Sequence, residues 1–432
     1  MRDPAKSRNP LRKIAASLRS LHERHQERHR PSGFGFAFAD RVDYFDPSHW
    51  DRVSNSGSLF LRRDVLRVIE EHAPENVLPR YAIVFRDQTP VALVAAQIVS
   101  VTGDRLHSER RDPSEKPTRN LLRRALSPAA RAASERIQTR MLVAGNLLSW
   151  GFHGIAFARD EDPAALWPGI AEALYRIRRA ERLTGQTDLV LVKDVPADQG
   201  GLDALRRFAY RPLETDPNMV LPITAGWRHY DDYLAALDAK YRRNAKDQSK
   251  KLATGGCVLE PLGDLSSHAP RLHELYRAVH GNAAVRLVTL RASYLPALAR
   301  ALGDDFRCQV VRRGDDLLGF VTTLRDGGTA IAYYIGFDRA AAAEGIPIYL
   351  RLLHATIGDA IAWRCERLSL GRTALEPKAA LGAKPEPMFV WMRHRVPALN
   401  WMLRGVLGAV PHNEAPERNP FKTVEPKDEK DG

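Results

Sequence analysis

The fold is decided by residues 306–337, FRCQVVRRGDDLLGFVTTLRDGGTAIAYYIGF. Phe306–Arg312, Asp316–Leu324 and Ala330–Phe337 are rich in Val, Ile, Phe, Tyr and Thr, with Gly and Asp at the joins. Such residues fit a pleated, half-buried surface, and the Gly/Asp breaks turn the chain, so three successive strands are expected here. Downstream, the pattern predicts a helix from about Ile346 to Arg364, a strand Arg367–Leu370, a helix beginning near Leu375 and a strand Met388–Met392. Upstream, Leu234–Ala253, Arg271–His280 and Ala292–Ala301 carry apolar residues at helical spacing.

The preceding part of the chain runs in the same order. Leu59–His72 is helical in period; Arg80–Arg86 and Pro90–Val101 read as two antiparallel strands about Asp87-Gln88-Thr89. Regular structure resumes at Met141–Phe157, followed by a helix over Pro163–Thr184 with Leu166, Ile170, Leu174 and Ile177 on one face. A buried-type strand Asp188–Val195 and a helix Leu202–Phe208 come next. The fold class is therefore α/β: two halves, each a mixed sheet with helices on both faces. The expected organisation is a basic tail (1–32), a first half (33–222) with a basic insert (105–140), a second half (223–402) and a polar C-terminal tail (403–432).

The formal net charge is +13, but it is unevenly placed. Met1–Arg30 holds nine Lys or Arg against Asp3, Glu23 and Glu27, and residues 105–140 hold ten against four acids. The rest is close to neutral, which argues against a nucleic-acid-binding domain, since that would spread charge over a folded face. Leu11, Ile14, Ala15, Leu18 and Leu21 recur at helical spacing among the basic residues of the tail. That pattern suits a helix lying on an anionic membrane, or a solvated leader. Met1–Arg30 lacks the apolar core of a secretory leader. Cys257, Cys308 and Cys365 are far apart, as expected of buried thiols in a reducing compartment. Val396–Val410 carries Arg404 and is too short to span a bilayer; a core or interfacial helix is expected there. These features predict a cytoplasmic protein, with peripheral contact at the inner face of a membrane as the alternative to a solvated tail.

Three ordered stretches carry a family resemblance. Tyr233–Gly255 (YLAALDAKYRRNAKDQSKKLATG), Gly319–Asp338 followed by Ile348-Tyr349-Leu350, and Leu370-Gly371-Arg372 with Lys378 and Leu381-Gly382 resemble the second half of FemAB-like and cellulose-biosynthesis-type N-acyltransferases. These belong to the GNAT superfamily, so the resemblance implies two GNAT-like halves. The likeness spans roughly residues 220–400, with agreement only at the level of fold over 40–220. It implies acyl or aminoacyl transfer to an amine, on an envelope-related substrate. The donor would be acyl-CoA, acyl carrier protein or a charged tRNA, with no tightly bound cofactor, and the acceptor a small-molecule or lipid-linked amine. In such folds the central strand, here Ala330–Phe337, splays from its neighbour and frees backbone N–H groups for an oxyanion.

Tyr333, Tyr334 and Asp338 are the local candidates for moving protons. Adjacent residues on a strand face opposite ways, so at most one tyrosine is expected to face the cleft. Gly371 and Arg372 follow a buried strand, where open α/β sheets bind ligands, and Lys378 could add charge to the same pocket. Arg243 and Lys246, among the basic residues of one helix, are candidates for donor phosphates or a carrier protein's acidic face. The helix after the central strand opens as Ala343-Glu344-Gly345-Ile346-Pro347-Ile348, with one glycine where a coenzyme A site usually has several. That shifts the expectation away from simple acetylation. No metal site is expected, His22, His25 and His29 lacking an acidic partner shell. The competing expectation is a catalytically silent GNAT-like module that docks on membranes, lipid or protein through its basic segments.

Overall fold

A computed structural model of the protein describes Gln26 and residues 30–102, 138–281, 287–401, 416 and 418–422. The expectations for the basic tail and most of the insert lie outside the described residues, as do the three-histidine cluster and most of Val396–Val410.

The strands are β1 (Gly35–Ala39), β2 (Val77–Arg86), β3 (Thr89–Thr102), β4 (Gln138–Ala144), β5 (Ile155–Phe157), β6 (Leu189–Pro196), β7 (Arg211–Pro222), β8 (Val258–Pro261), β9 (Phe306–Arg313), β10 (Asp316–Asp326), β11 (Thr329–Phe337), β12 (Arg367–Ser369) and β13 (Lys384–His394). They form one continuous sheet in the order β1-β2-β3-β4-β6-β13-β7-β12-β11-β10-β9-β8, with β5 beside β3. Residues 306–337 are the antiparallel meander β9–β10–β11. Each half contributes one parallel pair, β4 with β6 and β11 with β12. Between these pairs the closing strands cross over. β13, from the second half, lies on β6, and β7, from the first, lies on β12.

The helices are α1 (Pro47–Ser54), α2 (Arg63–His72), α3 (Pro163–Ala180), α4 (Asp203–Arg207), α5 (Tyr230–Ala236), α6 (Ala239–Thr254), α7 (Ala269–His280), α8 (Tyr294–Leu302), α9 (Arg339–Ala343), α10 (Ile348–Ala362) and α11 (Leu375–Ala380). On one face, α2 packs on α8, and Val65, Ile69, Tyr294, Leu298, Phe320 and Tyr333 share a core that runs through both halves. On the opposite face α3 covers the first half through Leu166, Trp167, Ile170 and Leu174. There α5, α10 and α11 cover the second half, whose core includes Tyr233, Leu353, Ile357 and Ala379. Each fully buried large apolar side chain contributes about 1.5–3 kcal/mol, so the shared core ties the halves together thermodynamically. At Gly336 α7 lies close against the sheet: a Cβ there would sit 2.6 Å from the α7 backbone at Leu275 and Tyr276.

Some elements depart from the sequence pattern. The helix read over Leu59–His72 is a 3-10 turn, Leu59–Leu61, and α2, separated by Arg62 in extended conformation. Leu234–Ala253 is likewise interrupted, because Leu237 and Asp238 are extended between α5 and α6. β7 was not expected, since Pro212, Pro217 and Pro222 fall within it; Pro217 sits where the register with β13 shifts, a position that needs no ladder bond. The three cysteines are buried and unpaired. No helix among the described residues is long and apolar enough to cross a membrane.

Candidate functional site

β12 pairs with β11 only from Thr329↔Arg367 to Ile331↔Ser369. Beyond that point β12 stays with β7, through Leu370 N–H to Met219 O and Met219 N–H to Gly371 O, 2.8 and 3.1 Å. The β11 edge from Ala332 onward thus loses its strand partner, and an opening forms at the carboxyl end of the parallel pair.

The opposite edge of β11 is irregular at the same level. Val321 faces Ile335 while Thr323 faces Ala332, so Tyr333 and Tyr334 together oppose Thr322. This is a β-bulge, which re-aims side chains and cancels strict alternation. In consequence both tyrosines reach one atom: the hydroxyls donate to the Leu148 carbonyl oxygen at 2.6 and 3.0 Å. Tyr294 adds a hydroxyl bond to Tyr333 at 2.8 Å. Burial pushes both phenols far above their ordinary range, so they act as neutral donors.

Leu148 belongs to the first-half loop 145–154, which leans into the opening. Trp150 lies against Tyr333, ring centroids 5.9 Å apart, and its indole N–H donates to Ser369 Oγ at 3.4 Å. Gly371, at φ +78°, has room for no Cβ, since one would come 3.0 Å from the Trp150 ring. The loop is held from below by the end of β6. Lys193 Nζ donates to Ser149 O at 2.7 Å, and the Gly151 N–H donates to Asp194 Oδ2 at 2.9 Å. Asp194 also takes the Lys193 ammonium and, through Oδ1, Arg372 Nη1 at 2.8 Å. It is fully buried and left-handed, φ +55°. Burial alone would raise its carboxyl pKa; the Lys193 and Arg372 charges outweigh that and hold it below the usual carboxylate range. Burial pulls Lys193 down. His153 Nε2 donates to Trp150 O at 2.8 Å, and burial, then the Lys193 charge, lowers its pKa to about 4.

After Arg372 the chain turns through Ala374, φ +52°, into α11. Lys378 on that helix is 3% exposed and has no hydrogen-bond or ionic partner among the described residues. Burial alone brings its pKa down to about 7. An adjoining face of α11 walls a cavity of about 320 Å³ with α5, α6 and α10, lined by Tyr233, Tyr241, Gln248, Leu350, His354 and Leu381. Exposed Lys240 and the Arg418–Glu376 ion pair also border it. His354 hydrogen-bonds through Nδ1 with the Tyr230 hydroxyl at 2.8 Å, and burial, then Arg351, lowers its pKa to about 3.

The structure brings Tyr333, Tyr334, Gly371 and Arg372 together at the opening, with Lys378 one helical turn into the element that follows. Asp338 stands at the far end of β11. It caps α9 by accepting from Ala340 and Ala341 N–H at 2.9 and 3.3 Å, and it pairs with Arg271. Arg243 and Lys246 are exposed on α6. In the loop 145–154 the sequence offers Gly145, Gly151 and Gly154 around Trp150 and His153, without the spacing of a coenzyme A loop; sequence reasoning missed Lys193, Asp194 and His354. A signal existed for the first two: in DLVLVKDV the only charges after Asp188 fall together at the carboxyl end of an apolar strand.

Several known proteins are similar to this chain. In the structural comparison the crystal structure of FemX aligns over 86% of this chain and 99% of its own, at 11% identity and a TM-score of 0.48. The C-terminal domain of a putative lysylphosphatidylglycerol synthetase from Agrobacterium fabrum aligns over 63% and 84%, at 14% identity and a TM-score of 0.41. In sequence, a Mycobacterium tuberculosis protein described as putative 8-amino-7-oxononanoate synthase 2 is 25% identical over 282 residues, 63% of this chain. The chain spans about a third, 36%, of the length of that curated relative. Residues 239–379 match the family model of the Acetyltransferase (GNAT) domain. That match runs from α6 through the β11–β12 opening to Lys378, so this stretch is similar to a GNAT acetyltransferase domain.

Proposed function

We propose that the second half transfers an acyl or aminoacyl group to an amine at the β11–β12 opening, with Lys378 receiving the proton. This reading rests on the unpartnered β11 edge at the opening, together with Lys378, buried on the helix that follows Arg372. A lysine buried without a partner, its pKa brought to about 7, is half neutral at physiological pH and able to accept a proton. The acceptor nitrogen attacks the donor carbonyl carbon and a C–N bond forms. The C–S bond of a thioester, or the C–O bond of an aminoacyl ester, breaks; the amine proton passes to Lys378 Nζ and on to the leaving group. The unpartnered β11 edge supplies backbone N–H groups toward the developing oxyanion. Tyr333 and Tyr334, already donating to Leu148 O, form the wall of the site.

Arg372 keeps a solvent-facing side, 28% exposed, that suits a phosphate or carboxylate, and Gly371 lets the chain pass close beside it. Arg243 and Lys246 on α6 suit the outer phosphates of a coenzyme A or charged-tRNA donor, or the acidic face of an acyl carrier protein. The acceptor in this reading is an envelope-related amine, small or lipid-linked, met at the cytoplasmic side of the membrane. Asp338, committed to α9 and Arg271, positions the end of β11.

One observation favours a second reading, a silent binding module: the loop 145–154 already occupies both tyrosine hydroxyls and covers Gly371. Incubating the full chain with acyl-CoA, acyl-carrier-protein and charged-tRNA donors and a panel of amines, then reading acceptor masses, separates the two. Amide formation with one donor class supports transfer. No product from any donor, with the fold intact, leaves the silent module.

A further inference from the structure

A second feature lies at the end of the first half where β4 and β6 begin. A groove of about 350 Å³ runs between α3 and the end of β13, lined by Arg30, Tyr175, Arg176, Arg179, Phe208 and Arg393. Its acid, Glu172, is taken by Arg176 and by the Ser32 hydroxyl and N–H, at 2.6–2.9 Å. Arg30, Arg179 and Arg393 have no carboxylate partner among the described residues. Burial, and after it the charge of Arg393, lowers the pKa of neighbouring Arg178.

Apolar side chains stand out from the same end. Leu183, in the turn after α3, is 96% exposed, Trp401 is 75% and Leu399 is 44%. Asn400 holds the last two in place, accepting from His394 N–H at 2.8 Å and donating to Ala209 O at 3.0 Å, beside Phe208 of the groove. Exposed Leu and Trp flanking unpaired arginines match a bilayer interface, where aromatic rings sit at headgroup level and arginines meet phosphates.

The chain's other basic and apolar segments join the fold here as well. Arg30 is where the basic tail enters, and Thr102 pairs with Gln138 at the roots of the insert. Trp401 leads into Met402–Val410, apolar apart from Arg404. We propose that this face, centred on Arg179, Arg393, Leu183 and Trp401, docks on an anionic phospholipid surface. The face is separate from the β11–β12 opening, so the assignment stands or falls independently of acyl transfer.

The test is co-sedimentation of the full chain with vesicles of phosphatidylcholine alone or mixed with phosphatidylglycerol. The chain is expected to bind only the mixed vesicles, and more weakly as salt rises. Arg179→Ala with Arg393→Ala lowers the partition coefficient about 25-fold, about fivefold for each arginine. Trp401→Ser and Leu183→Ser, which alter exposed side chains and leave the circular dichroism unchanged, also weaken it. Four results would overturn the proposal. They are no binding to anionic vesicles, binding unchanged in all these variants, RNA-duplex binding in place of vesicle binding, or a Trp401-dependent dimer that does not bind vesicles.

Discussion

Lys378→Met exchanges a buried ammonium for an unbranched apolar side chain that fills much of the same space. In the folded protein Lys378 titrates near 7, against an ordinary 10.5. A basic group whose folded pKa is depressed weakens the fold wherever the unfolded chain holds the extra proton. The penalty is fully present below about pH 7, shrinks as pH rises, and is gone above about 10.5. At neutral pH it amounts to on the order of 4 kcal/mol. With relaxation and the small change of shape, the variant is expected to be about 2–4 kcal/mol more stable than the parent near pH 7. Urea unfolding followed by far-UV circular dichroism, run on both proteins from mildly acidic to strongly alkaline pH, reads this directly. Other lysines cancel in the difference. A gain that did not shrink toward pH 10.5, or a variant less stable than the parent in acid, would refute the burial argument.

Further outcomes follow from the same geometry. Asp194→Asn leaves Lys193 and Arg372 without their buried counter-charge and is expected to cost about 3–5 kcal/mol in urea unfolding. Because the Asp194 carboxyl lies below its ordinary value, its contribution holds above that value and is lost as pH falls through the folded pKa. The variant's stability is therefore expected to fall less steeply in acid. Gly336→Ala forces a Cβ to within 2.6 Å of the α7 backbone, which is expected to lower stability by about 1–3 kcal/mol, measurable as a lower Tm. His153 and His354, at about 4 and about 3, are expected to give imidazole NMR signals that do not move between mildly alkaline and mildly acidic pH. Since the unfolded chain binds those protons first, stability falls as pH drops below their ordinary 6.5.

Much of the fold was legible in the residues because periodicity and turn chemistry agreed. The meander β9–β10–β11 and the parallel-type strands at Asp188–Val195 and Arg367–Leu370 are cases in point. What stayed hidden was long-range. Nothing local in Arg211–Pro222, with its three prolines, says that β7 lies on β12, or that β13 lies on β6. The bulge that turns Tyr333 and Tyr334 onto one carbonyl depends on the register with β10, which the alternation rule takes to be regular. Arg372 was legible as a residue at a strand end. Its partner Asp194 was not, because the two are brought together only by the meeting of the halves. Lys378 stood out by its place after Leu370-Gly371-Arg372, but its burial, the property the proposed chemistry uses, is a fact of packing.

The most direct test of the account is the rate of amide formation as a function of pH, for the wild type and Lys378→Met with the same donor and amine. If Lys378 takes the proton in its neutral form, the wild-type rate rises through a single ionisation near pH 7 and levels off above it. The variant, though the more stable protein, then loses about 100-fold or more of that rate and the ionisation with it. A wild-type profile flat across neutral pH, or a variant that transfers as fast as the parent, would contradict the account.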